Sequence, residues 1–250
     1  MTIGAPAGQA GPGRALPGPS PFAGDDGTAD PALMAALSAH LGGAAGLGDV
    51  VAALTSARVL VPVLARLEAA GVTADGLEVD KEASAGVVAV RVPDGRAALP
   101  VFTSVASMQA WRPEARPVPS SAPRAAVAAL AEGWEALLVD PAGPVAVVLP
   151  RTAVRALATG RPWRPAVEGG KVRPDVRAAV VGAVAGMEHV TSVDVRPGTG
   201  TAVAVVLGLR DGLDRSGLDE VLTRVGAALA AQALVVDAVD ALEVRVERAP

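Results

Sequence analysis

The stretch DGRAALPVFTSVASMQAW, residues 94–111, places a turn, a strand and the start of a helix in immediate succession. The Pro-Asp-Gly sequence at residues 93–95 favours a tight turn with a left-handed glycine. The segments on either side, 86–92 and 97–102, are rich in apolar and β-branched residues and predict the arms of a hairpin. The two hydroxyl residues after the second arm can cap a short helix. A strand followed at once by a helix indicates a mixed α and β fold.

The segment before this hairpin predicts two helices and a further strand. Asp30 offers an N-cap and Pro31 a first-turn proline. The apolar residues that then recur at helical spacing are Met34, Leu37 and Leu41. A second helix is expected after Gly48. The sequence RVLVPVLAR, residues 58–66, is aliphatic and β-branched and predicts a strand.

The segment after the hairpin predicts two more helices around a second hairpin. Residues 121–132 follow a helical pattern. The apolar residues expected on its buried face are Val127, Leu130, Ala131 and Trp134. The second hairpin is expected to pair residues 136–139 with residues 145–149. A helix over 152–159 then ends at Gly160.

The sequence GRPWRPAVEGG, residues 160–170, is dense in glycine and proline and predicts a linker. The remaining residues predict helix, strand, strand, helix and strand in that order. This order resembles part of a ferredoxin-like split βαβ, with residues 167–172 as its first strand.

The fold class predicted from these elements is α+β. A mixed or antiparallel sheet with helices is expected in a first domain, residues 31–165. A smaller ferredoxin-like α+β domain is expected at residues 166–250. Residues 1–30 are rich in Gly, Pro and Ala and predict a disordered tail, because they offer little apolar surface to offset the entropy of ordering.

Composition disfavours several classes of function. The chain has a net charge of -4 and an aromatic content of 2%. Lys81 and Lys171 are its only lysines. The sequence therefore shows neither the clustered cations nor the aromatic stacking platforms that are typical of nucleic-acid binding. No apolar run reaches the length of a membrane span, and the first residues lack a secretory signal pattern. We therefore expect a cytoplasmic protein with neither nucleic acid nor membrane as a partner.

Three motifs carry a resemblance to a known family. They are LVPVL at residues 60–64, the stretch 94–111 quoted above, and GRPWRP at residues 160–165. The chain resembles the SseB amino-terminal domain family over about residues 33–165, in the form found in high-GC Gram-positive bacteria. The remainder resembles the carboxy-terminal SseB domain. The resemblance implies an intracellular α+β protein without an established enzymatic activity.

The residues that normally carry catalysis are sparse. There is no cysteine, and His40 and His189 are the only histidines. A glycine-rich phosphate loop followed by Lys and Ser or Thr is absent from the sequence. The acidic residues Glu78, Asp80 and Glu82 alternate, which in an extended segment places them on one side as in a metal site, although such a run more often forms a solvated edge. We expect no catalytic residues, no metal site and no cofactor.

The hydroxyl residues Thr103 and Ser104 are the candidate ligand-binding residues, since amides at a strand-to-helix junction can hold a small anion. Arg96 on the same hairpin is a candidate to assist them. The simpler alternative is that one hydroxyl only caps the helix. Trp111 and Trp163 flank proline-rich connections, where each is either a core residue or an anchor for a partner protein.

The leading hypothesis is a non-catalytic protein that acts through protein–protein interaction or regulation. The partner and the oligomeric state are not encoded in these patterns. The alternative is a sensor of a small molecule, either an amino acid or an anion, at Thr103 and Ser104. An enzyme is the last hypothesis, because it would need a cluster assembled from scattered residues such as His189, Glu188 and Asp194.

Overall fold

The computed structural model describes residues 21–66, 84–144 and 146–248. The helices in this part of the chain are α1 (Pro31–Leu41), α2 (Leu47–Leu54), α3 (Val105–Trp111), α4 (Ala122–Ala131), α5 (Arg151–Thr159), α6 (Pro174–Val184), α7 (Arg215–Ala231) and α8 (Ala233–Ala238). The strands are β1 (Arg58–Arg66), β2 (Ser84–Val87), β3 (Val90–Arg91), β4 (Ala97–Val101), β5 (Arg116–Ser121), β6 (Ala136–Val139), β7 (Val147–Leu149), β8 (Val167–Glu168), β9 (Lys171–Val172), β10 (Val190–Pro197), β11 (Val203–Leu209) and β12 (Leu242–Arg248). The α+β class is confirmed.

The part of the chain before residue 166, called the first domain below, contains two small sheets, ordered β2-β1-β5 and β3-β4-β6-β7. They are joined where Leu60 and Phe102 exchange backbone hydrogen bonds of 2.8 and 2.9 Å. Within the second sheet β4 and β6 are parallel, while β3 and β7 pair with them antiparallel. The parallel pair brings the carboxyl ends of β4 and β6 to the same edge.

The core of the first domain lies between the sheets and helices α1, α2, α4 and α5. Its fully buried side chains include Leu33, Leu37, Leu54, Leu99 and Leu149. The predicted start of α1 is confirmed, because Asp30 accepts a 2.9 Å hydrogen bond from the Leu33 amide. The predicted inner face of α1 is wrong in part, since Leu41 is exposed and Leu33 is buried instead.

The buried face predicted for α4 is also wrong in part. Val127 is 51% exposed, and Leu130 and Trp134 are only half-buried. The buried residues of this helix are Ala122, Ala125, Ala126 and Ala129. Alanine faces the core because α4 packs against α5, and small side chains let two helix axes approach closely.

The part of the chain after residue 165, called the second domain below, has a separate core cluster, formed by α6, α7 and α8 against the sheet β10-β11-β12. Strands β11 and β12 are hydrogen-bonded parallel neighbours, whereas a split βαβ has another strand between its two parallel strands. The ferredoxin-like topology is therefore not confirmed. Residues 167–172, predicted as a first strand, form a separate hairpin of β8 and β9.

Of the tail predicted to be disordered, residues 1–30, the structure describes only residues 21–30. Residues 1–20 lie outside the described part of the chain. Within 21–30, Gly27 accepts a 2.9 Å hydrogen bond from the Val105 amide, and Asp25 pairs with Arg58. These residues contact the first domain. Within the described residues, none of the helices has both the length and the apolar character needed to cross a bilayer.

Candidate functional site

Thr103 and Ser104, the predicted ligand-binding hydroxyls, lie just after the carboxyl end of β4. Asp140 follows the parallel strand β6 and therefore lies beside them. Its carboxylate accepts a hydrogen bond of 2.9 Å from the Thr103 amide and one of 2.7 Å from the Thr103 hydroxyl. Thr103 is 2% exposed and Asp140 is 5% exposed. The Thr103 hydroxyl is thus used inside the protein.

Ser104 is the N-cap of α3, because its hydroxyl accepts a 3.0 Å hydrogen bond from the Ser107 amide. The Ser107 hydroxyl in turn donates 2.7 Å to Asp140. Asp140 therefore gathers three donors from the β4–α3 junction. It does so at a φ of 46°, in the left-handed region that non-glycine residues rarely adopt.

Arg58 extends this polar network toward the amino-terminal segment. Its guanidinium donates a hydrogen bond of 2.9 Å to the Thr103 carbonyl and one of 2.8 Å to the Asp25 carboxylate. It also donates a hydrogen bond to the Thr28 carbonyl. The side chains of Arg58 and Asp25 are 14% and 11% exposed. A single arginine therefore holds residues 25–28 against the start of β1.

Arg96, the third predicted ligand residue, lies at the opposite end of β4 from Thr103. Seven residues of extended chain span about 20 Å, so the structure does not bring Arg96 together with Thr103 and Ser104. Arg96 forms a 2.6 Å ion pair with Asp94 in the β3–β4 turn. The hydrogen bond from Arg96 lowers the pKa of Asp94.

Trp111 packs its ring 5.3 Å from that of Phe102, centre to centre. Phe102 is fully buried and Trp111 is half-buried. The guanidinium carbon of Arg112 lies 4.9 Å from the centre of the Trp111 ring. Trp111 therefore closes a small core under α3, and the interaction with Arg112 is of the cation–π type.

Trp163 lies in the connection between the two domains. Its indole nitrogen donates 3.0 Å to the hydroxyl of Thr152, a residue that is 1% exposed on α5. The ring packs against the core of the first domain and is half-buried. Its remaining surface lines a groove of about 450 Å³, a volume typical of binding pockets.

This interdomain groove runs between α5, residues 161–164 and α8. Its lining includes four arginines, Arg155, Arg161, Arg164 and Arg173, and one carboxylate, Asp237. The groove is therefore locally basic, although the whole chain carries a net charge of -4.

The four arginines of the groove differ in what they bind. Arg164 pairs with Glu168 at 2.7 Å and Arg173 pairs with Asp175 at 2.5 Å. The hydrogen bond from Arg173 lowers the pKa of Asp175 to about 2. Within the described residues, the side chains of Arg155 and Arg161 form neither an ion pair nor a hydrogen bond. Two exposed cations without a partner among these residues thus line the groove together with Trp163.

A second cleft, lined by residues at the amino-terminal end of α5, contains Asp240. Its carboxylate accepts a 2.9 Å hydrogen bond from the Thr152 amide, and Arg151 donates 3.2 Å to the Val239 carbonyl. The N-cap residue of α5 is Pro150, which has no capping side chain. The second domain therefore supplies the cap for a helix of the first.

Burial raises the pKa of the Asp240 carboxyl above its ordinary value. The folded protein thus holds this proton more tightly than the unfolded chain, and the free energy of unfolding falls as pH rises from the ordinary pKa to the raised one. We expect Asp240→Asn, which keeps an acceptor but has no charge, to melt at or above the wild-type temperature at neutral pH. Melting temperatures measured across an acid-to-neutral pH series test this.

Asp240→Ala is the matched comparison for that prediction. It removes the acceptor for the Thr152 amide as well as the charge, and loss of a helix cap costs about 1 kcal/mol. The alanine variant should therefore be less stable than the asparagine variant at every pH. Equal stability of the two would show that the hydrogen bond to α5 contributes nothing.

The histidines lie apart from these clefts. His40 is near the end of α1, with Nδ1 3.2 Å from the Ala45 carbonyl. His189 has its Nε2 3.6 Å from the Glu188 carboxylate. Asp194, considered as its second partner, instead pairs with Arg177 and Arg196. The acidic residues 78, 80 and 82 lie outside the described part of the chain.

Sequence reasoning missed Asp140, Asp240, Arg155 and Arg161. A signal for Asp140 is the Asp-Pro pair directly after a predicted strand, although such a pair is also typical of a plain turn. The signal for the two arginines was their position on either side of the end of α5. Asp240 offers no local signal, because the amide that it binds is 88 residues away.

Comparison with known proteins gives one family. Residues 33–156 match the family model described as SseB protein N-terminal domain. No curated protein and no solved structure matches the chain.

Proposed function

We propose, from the premise that residues 33–156 form an SseB protein N-terminal domain, that this chain is a non-catalytic protein that acts by binding a partner protein. The binding surface is the interdomain groove around Trp163, and it takes an acidic segment of the partner. The observation that carries the proposal is that two arginines without an ion-pair partner in the described part of the chain, Arg155 and Arg161, line the same groove as a half-buried tryptophan.

Unpaired guanidinium groups favour carboxylates as ligands. An arginine presents several donors in a planar fork that matches the two oxygens of a carboxylate. The guanidinium groups of Arg164 and Arg173 already bind the carboxylates of Glu168 and Asp175. The guanidinium groups of Arg155 and Arg161 are therefore the ones left to bind a ligand from outside. The single acid in the lining, Asp237, does not neutralise them.

Trp163 supplies the apolar part of such a surface. Tryptophan and arginine are enriched among the residues that dominate binding energy at protein interfaces. The hydrogen bond to Thr152 fixes the indole, so little side-chain entropy is lost when a partner covers its exposed surface. Trp111 is less suited to this role, because its ring packs on Phe102 and beside Arg112.

A segment with several carboxylates fits this groove better than a single small ion. Both arginines are exposed, and a small anion bound to exposed cations stays hydrated and is screened by salt. A peptide that reaches both arginines and also covers Trp163 combines charge pairing with the burial of apolar surface.

The test uses a labelled oligoglutamate peptide that contains leucine, with binding followed by fluorescence anisotropy on the full chain. We expect Arg155→Glu/Arg161→Glu to weaken binding at least about tenfold, which corresponds to about 1.4 kcal/mol. We also expect wild-type binding to weaken as ionic strength rises, because the charges are exposed.

The matched control is Arg116→Glu/Arg124→Glu, which makes the same change in charge at two exposed arginines outside the groove. It should bind within about twofold of wild type, since distant exposed charges interact weakly. Equal weakening by both pairs would reduce the effect to net charge and overturn the groove as the site. A native partner is then sought as a protein retained by wild type and by the control but not by the groove variant.

A small-molecule sensor is the second candidate function, and the groove volume favours it. The hydroxyls first considered for that role, Thr103 and Ser104, are bonded to Asp140 and to α3. A thermal-shift screen of amino acids and phosphates discriminates the two, because a ligand at 100 times its dissociation constant adds about 2.7 kcal/mol of stability. A shift that the groove variant abolishes would favour the sensor.

A further inference from the structure

Strand β12 forms one edge of the second-domain sheet. It pairs with β11 in a continuous parallel register from Val203 opposite Leu242 to Leu209 opposite Arg248. Among the described strands, β11 is its only partner. The strand has neither a proline nor a register shift. Its outer edge therefore presents a regular row of backbone donors and acceptors.

The opposite edge, β10, is protected in the ways that natural sheets use. Its register shifts between Val190 and Ser192, and it ends at Pro197. Arg177 of α6 bonds the Val195 carbonyl at 2.8 Å. The two edges of this sheet thus differ, and β12 is the one left suited to pairing.

The apolar side chains of β12 lie on the side of the sheet that the helices cover. Neighbouring residues in a ladder share a face, so Val244 and Val246 point to the same side as Val205 and Leu207. Those two β11 residues are fully buried in the core. Leu242, Val244 and Val246 are instead 37%, 41% and 45% exposed. The apolar layer continues to the edge strand and is uncovered there.

We propose that β12 pairs antiparallel with β12 of a second copy of this chain, about a two-fold axis through Val244. Val244 then lies opposite the partner's Val244, and Leu242 lies opposite the partner's Val246. On the other face, Glu243 lies opposite the partner's Arg245. The two sheets join into one of six strands, and the uncovered apolar layer of each copy meets that of the other.

Charge and pleat select this register over its neighbours. A slip by one residue would set the apolar face of one copy against the charged face of the other. An axis through Arg245 would place arginine opposite arginine and Glu243 opposite Glu247. Like charges directly opposite each other destabilise a sheet, and opposite charges stabilise it. Pairing about Val244 avoids both faults and keeps three apolar side chains matched.

Disulfide trapping tests the axis directly, because the chain contains no cysteine. In Val244→Cys the two thiols face each other across the axis, where directly opposed Cβ atoms lie about 5 Å apart, near the reach of a disulfide. We expect mild oxidation of the full chain to give a covalent dimer. Val127→Cys, on the 51% exposed outer position of α4, is the control and should form little covalent dimer.

Light scattering on the uncross-linked wild type should give twice the mass of one 24.7 kDa chain. Arg245→Glu and Glu243→Arg should each be monomeric alone, because each sets like charges opposite each other in both halves of the ladder. Mixed together, they should form a heterodimer in which every pair is complementary. A monomeric wild type would overturn the proposal. So would a dimer in which Val244→Cys cross-links no faster than Val127→Cys.

Discussion

Replacing Asp140 by alanine is expected to lower the free energy of unfolding by about 4 kcal/mol, the largest effect of any single change considered for this chain. The substitution leaves the buried amide and hydroxyl of Thr103 without an acceptor. It also removes one of the two acceptors of the half-buried Ser107 hydroxyl, whose other acceptor is the Ser104 carbonyl at 3.0 Å. Each buried donor without a partner costs about 1 to 3 kcal/mol. Alanine at a φ of 46° adds a backbone penalty of about 1 kcal/mol.

Two further variants separate the contributions of Asp140. Asp140→Gly removes the same acceptors but tolerates the left-handed backbone, so it should be more stable than the alanine variant by about 1 kcal/mol. Asp140→Asn keeps one acceptor oxygen, so its free energy of unfolding should fall by roughly half as much as that of the alanine variant. Urea unfolding curves measure all three. A loss below about 1 kcal/mol for alanine would mean that water replaces the carboxylate.

Replacing Arg58 by methionine is expected to cost about 3 kcal/mol, because it leaves a mostly buried carboxylate without its partner. Methionine preserves much of the apolar stem but cannot bond Asp25 or the carbonyls of Thr28 and Thr103. The segment 25–28 should then detach from the domain. Its release is measured by faster hydrogen exchange at the Val105 amide, which donates to Gly27.

The double variant Arg58→Met/Asp25→Asn is the control for that prediction. Removing the carboxylate's charge removes the penalty for burying it unpaired, so the double variant should be more stable than Arg58→Met alone. An equal or greater loss would place the effect in the backbone carbonyls rather than in the ion pair. Unchanged exchange at Val105 would show that Gly27 holds the segment without Arg58.

Much of the fold follows from local patterns, and the errors have specific physical causes. The caps at Asp30 and Ser104 and the turn at residues 93–95 depend only on neighbouring residues, so the sequence predicts them well. Strand β5 was missed because its prolines suggest irregular chain, yet it pairs along β1. The buried face of α4 was misassigned because hydrophobicity favours Val127, whereas close packing on α5 selects alanine.

The candidate site was predicted less completely than the fold. Trp163 was identified from its proline-rich surroundings, and its place beside a groove agrees with an anchoring role without testing it. The groove itself depends on how two domains meet, which no local pattern encodes. Thr103 was identified as a hydroxyl at a strand end, but its partner Asp140 becomes its neighbour only through the parallel pairing of β4 and β6.

The cap that Asp240 places on α5 limits how freely the two domains can be recombined. Helix α5 lies mostly inside the matched family segment, which ends at residue 156, but the Thr152 amide in its first turn is satisfied by a residue beyond that segment. A second domain transplanted from elsewhere would therefore need a carboxylate or an amide at the position after Val239. Shuffling at the glycine-rich linker alone preserves the chain connection but not this helix end. The unit that can be exchanged as a module is consequently longer than the recognisable family segment.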